Sequence, residues 1–72
     1  MTNAECLEGD RRLLAKVERW LRDDEHFLQT LPGIMLRTRA QLERNCAAYR
    51  VTIASLERSI VNTLLRIARG AP

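Results

Sequence analysis

Apolar residues recur along the second half of this chain at alternating three- and four-residue steps, through Met35, Leu42, Cys46, Tyr49, Ile53, Leu56 and Ile60, then Thr63 and Ile67. That is the seam of a helix. Neither Pro nor Gly interrupts residues 34–69, and an unbroken helix of that length would run about 54 Å at about 1.5 Å per residue. Such a helix cannot cover its own stripe, so something must lie against it.

The first half supplies one candidate. Leu7, Leu14, Leu21 and Leu28 recur every seven residues, with Val17 and Leu31 at the intermediate step and Leu13, Trp20 and Phe27 as a flanking column, which makes a broad apolar face. Asp10 and Asp24 break the intermediate step. Thr2 followed by Glu5 matches a capping box and Gly9-Asp10 offers a second start, so this helix begins near residue 3 or near residue 11. Leu31-Pro32-Gly33 ends it, because Pro disfavours helical geometry in the residue before it and Gly frees the backbone to reverse.

A connection this short joins antiparallel neighbours. The sequence therefore predicts one all-α domain over 1–72: a helix over about 3–30, a turn at 31–33 and a longer helix over about 34–69, forming a helical hairpin. The alternative is a three-helix bundle with a break near Asn45-Cys46 or at the β-branched run Val51-Thr52-Ile53. In the hairpin a first helix of 20 to 27 residues leaves the last turns of the second uncovered. Ile60, Val61, Leu64, Leu65, Ile67 and Ala68 should then overhang, and an apolar overhang needs a partner. The face predicted to grip a partner helix comprises Ile53, Ile60, Val61, Leu64, Ile67 and Ala68. A column of small residues, Ala40, Ala47, Ala54, Val61 and Ala68, lies about 100° from the seam and would let another backbone come close.

Length supports the need for a partner. A chain of 72 residues buries only about 60% of its unfolded surface, so association is a source of extra stability. A 46% hydrophobic and 29% charged composition with three Gly and two Pro fits an all-α globular chain rather than a disordered one. No 18-residue apolar run and no basic-then-apolar leader is present, so the chain is expected in the cytoplasm with no membrane contact.

Charge divides the halves. Residues 1–33 hold five basic and seven acidic side chains, net −2; residues 34–72 hold seven and two, net +5. The two helices attract each other, and Glu8 with Arg12 and Glu18 with Arg22 are spaced to support the first helix. Arg37, Arg44 and Arg58 with the other arginines are spread round the second helix without aromatic or Gly-rich interleaving, so a solvated face is favoured over phosphate contact. The acidic run Asp23-Asp24-Glu25 is expected to face solvent.

No catalytic set emerges. There is no Ser/His/acid order, no metal-ligand pair at helical spacing and no phosphate-cradling Gly loop; His26 stands alone and Cys46, on the seam, acts as a small hydrophobe. No enzyme, cofactor or metal is predicted.

Tyr49, then Ala54-Ser55-Leu56-Glu57, and the aliphatic end Ile60-Val61 through Ile67-Ala68 resemble the second helix of the small co-chaperones of type III secretion needle subunits. The resemblance covers the architecture of the whole chain and this stretch of residues. It implies a hairpin that binds a larger, repeat-built helical chaperone, the two together holding a needle subunit soluble in the bacterial cytoplasm. Two other classes fit the pattern: a small phage or plasmid regulator binding RNA polymerase or nucleic acid, and a self-associating helical bundle.

Overall fold

The computed structural model describes residues 1–70. Two helices, α1 (Asn3–Thr30) and α2 (Leu36–Ala68), make up the fold. Thr2 caps α1: its Oγ1 accepts the Glu5 N–H at 3.1 Å and its hydroxyl donates to Glu5 Oε1, so of the two possible starts the capping box wins and Gly9 lies inside the helix. Arg12 pairs with Glu8 one turn away; Glu18 and Arg22 make no ion pair.

The reversal is built on Pro32. Leu31 leaves the helix in extended geometry at φ −70° and ψ 132°, as a residue before Pro must. The Met35 N–H then donates to the Pro32 carbonyl at 3.1 Å, and Arg39 Nη2 donates to the Leu31 carbonyl at 3.4 Å. Gly33 was expected to free the backbone for the reversal. It has no positive φ, and a Cβ placed on it meets nothing within 4 Å; it sits with Ile34 at the centre of the turn that the Met35–Pro32 hydrogen bond closes. The positive φ belongs to Gly70, at 77°, whose N–H donates to the Ile67 carbonyl and closes α2.

α2 is continuous through 45–53, which excludes the three-helix arrangement. The fold is an all-α antiparallel hairpin, a rod of 56 × 16 × 14 Å with a radius of gyration of 16.3 Å, against about 11 Å for a compact chain of this length. Little is enclosed by it. Among the described residues Val17, Leu31, Cys46 and Thr63 are buried; Leu14, Leu21, Leu28, Leu42, Tyr49, Ile53, Leu56 and Ile60 are half-buried along the seam. No helix among these residues is long and apolar enough to cross a membrane.

The expected overhang from Ile60 onward is not there. α1 is 28 residues long rather than 20 to 27, and α2 is 33, so the first turns of α1 reach the last turns of α2. Thr63 is only 1% exposed; Cys6 and Asp10 line one groove with Ser59 and Thr63, and Ala4 and Leu7 line another with Ile67.

Candidate protein-binding surfaces

The seam contains polar layers that the apolar pattern hides. Near the open end of the hairpin, Ser59 Oγ donates to Asp10 Oδ2 at 2.6 Å across the two helices. Thr63 Oγ1 donates to the Ser59 carbonyl at 2.9 Å and accepts from Arg66 Nη2 at 3.3 Å. Asp10 therefore does not interrupt the seam. It is a seam residue with a dedicated partner, and its place on the three-four step was the signal for this. Nearer the turn the acidic run divides: Asp23 is exposed, Asp24 is half-buried, and Glu25 Oε2 accepts from Arg50 Nη2 at 3.0 Å. Asp23 fits the expectation of a solvated run, Glu25 is half-exposed but paired, and Asp24 is drawn toward the seam. An exposed pair such as Glu25–Arg50 adds only tenths of a kcal/mol, but it joins the helices in one offset.

Cys46 sits beside that layer. Burial pushes its thiol above the ordinary value, Asp24 adds to the shift, and Glu25 and Glu43 add further while Arg50 opposes them. A thiol that ionises less readily folded than unfolded stabilises the fold fully below the unfolded value of 9.0, and that contribution is lost as pH rises through the higher folded value. The midpoint of urea unfolding should therefore hold between pH 7 and 8 and fall above pH 9.0. A Cys46→Ala chain should fall less; equal slopes in the two chains would remove the thiol from the account. Cys6 and Cys46 are both free, and no cluster of His, Cys, Asp and Glu among the described residues could hold a metal.

Two apolar surfaces remain open, on opposite sides of the rod. The first is the carboxyl-terminal face of α2. Val61, Leu64 and Ile67 are 54%, 41% and 42% exposed; Leu65 and Ala68 are exposed beside them, and Ala47 and Ala54 continue the small-residue column toward the turn. Of the six residues predicted to grip a partner, Val61, Leu64, Ile67 and Ala68 come together here. Ile53 and Ile60 do not join them, because α1 half-covers them on the seam.

The second surface is on α1. Leu13, Trp20 and Phe27 are 42%, 46% and 51% exposed, and they form the flanking column of the broad apolar face that the sequence predicts for this helix. Only one side of that broad face fits into the seam. Leu13 borders Ser59 and Thr63 in the groove beside the hairpin, and the Trp20 and Tyr49 rings lie 6.1 Å apart at 46°. On this side α2 presents Thr38, Asn45, Thr52 and Ser59, whose small polar side chains leave the large residues of α1 standing proud. The missed signal was the lack of matching large residues on α2.

The chain matches no protein-family model, no curated protein and no solved structure.

Proposed function

We propose that this hairpin is a non-enzymatic protein-binding module that grips a helix of a partner protein through the carboxyl-terminal face of α2, acting as a small chaperone or co-chaperone in a bacterial cytoplasm. The observation that carries this reading is the ratio of exposed to enclosed apolar residues. Among the described residues twelve large hydrophobic side chains stand exposed around a core of three apolar residues, far more than a two-helix rod needs for its own folding. Val61, Leu64, Leu65 and Ile67 concentrate at the open end, where an amphipathic partner helix can lie along α2 and bury its own apolar stripe. Type III secretion is the setting that the Tyr49 to Ala68 resemblance supports.

Leu64→Asp is the informative variant. Its side chain is exposed, so helicity should be retained, while a charge placed in a desolvated contact should abolish co-purification of the partner from the native cell. Arg58→Ala should leave capture unchanged. Retention by Leu64→Asp together with release by the joint removal of Arg37, Arg44 and Arg58 would make recognition electrostatic. The second reading, a regulator that binds an acidic protein or nucleic acid, would then replace this one.

A further inference from the structure

We infer that the exposed stripe of α1 is the contact for a second copy of this chain, with the two α1 helices antiparallel and Trp20 on the two-fold axis. This goes beyond the partner site on α2, since it uses the other helix and the other side of the rod. The stripe is its own complement. Leu13 lies seven residues before Trp20 and Phe27 seven after, so a two-fold through Trp20 sets Leu13 of each copy against Phe27 of the other.

The neighbouring column chooses the direction. It runs Gly9, Lys16, Asp23, Thr30, and all four are exposed. Lys16 and Asp23 form no ion pair within the chain; the two pairs among the described residues join Arg12 to Glu8 and Arg50 to Glu25. Seven residues of helix separate Lys16 from Asp23 by about 10 Å, too far for them to meet each other. The register that sets Leu13 against Phe27 brings Lys16 of one copy to Asp23 of the other, twice by symmetry. Parallel pairing would instead place the two columns on opposite flanks of the contact, where Lys16 of one copy cannot reach Asp23 of the other and neither ion pair forms. At the ends of the column Gly9 meets Thr30, and neither is bulky enough to hold the helices apart. Thr52 and Ser59, which border the stripe on α2, spend their hydroxyls on Ala48 O and Asp10, so closing this side strands neither of those donors.

Sedimentation equilibrium over a hundredfold range of concentration tests the pairing. The wild-type chain should move from monomer to dimer, Lys16→Asp should weaken the dimer by about tenfold or more, and Lys16→Asp with Asp23→Lys should restore it. Register is read separately on a Cys6→Ser background: oxidising Leu13→Cys and Phe27→Cys chains together should give the mixed disulfide, with little Leu13→Cys homodimer. A monomer at every concentration overturns the inference, as does a double swap that fails to restore the dimer or a dominant Leu13→Cys homodimer. Leu64→Asp should dimerise as the wild type does, so loss of the partner site and loss of the dimer are distinguishable.

Discussion

Val17→Asp should leave the chain without a cooperative thermal transition at 25 °C. Val17 is the most buried apolar residue of α1, at the middle of the seam, and the carboxylate would have no cation within the seam to answer it. An unpaired buried charge costs several kcal/mol, whereas a core this small rarely supplies more than about 3–5 kcal/mol of net stability. Val17→Ala removes two methyl groups without adding charge. It should cost about 2 kcal/mol and lower the melting temperature by about 8–16 °C. Circular dichroism at 222 nm reads both. If Val17→Asp melts where the wild type does, the helices do not meet at this residue and the seam must be redrawn.

The second large effect is expected from Ala48→Pro. The Ala48 side chain is exposed on α2, so substitution there removes no packing and reports on the backbone. Within a continuous helix Pro deletes one hydrogen bond and collides with the carbonyl four residues back, at a cost of about 3 kcal/mol or more, while Gly at the same place costs about 1. Ala48→Gly should thus melt a few degrees below wild type and Ala48→Pro should be largely unfolded. A chain with a natural break at 45–53 would tolerate the proline. Equal melting of Ala48→Pro and wild type would restore the three-helix arrangement.

Much of this fold is written in local chemistry. The cap at Thr2, the stop at Leu31-Pro32, the uninterrupted run from Leu36 to Ala68 and the three-four seam all depend on contacts within about four residues, which is why the helices lie close to where the sequence placed them. Gly33 lies inside the turn where the sequence placed it, without a positive φ. A glycine after a proline permits a left-handed turn without requiring one, and the Met35 to Pro32 hydrogen bond closes the turn with Gly33 and Ile34 at its centre.

The candidate sites were less legible, because they depend on how far α1 extends along α2. Heptad stripes are periodic, so leucines and isoleucines fit each other nearly as well after a slip of one repeat. The polar cross-links do not: Asp10 has Ser59, and Glu25 has Arg50, and these set one offset. That offset carried the amino end of α1 over Thr63, covered half of Ile60, and left Val61, Leu64 and Ile67 outside. It also decided which side of the broad α1 face was enclosed.

The sequence by itself therefore determined two helices, a turn and the seam between them, since periodicity and capping act within a helix. Only the tertiary structure decided that Asp10 is answered by Ser59 across the seam and that Leu13, Trp20 and Phe27 lie open. The physical reason is that enclosure depends on the size and position of the opposing side chain, and Thr52 and Ser59 are too small to cover what α1 presents.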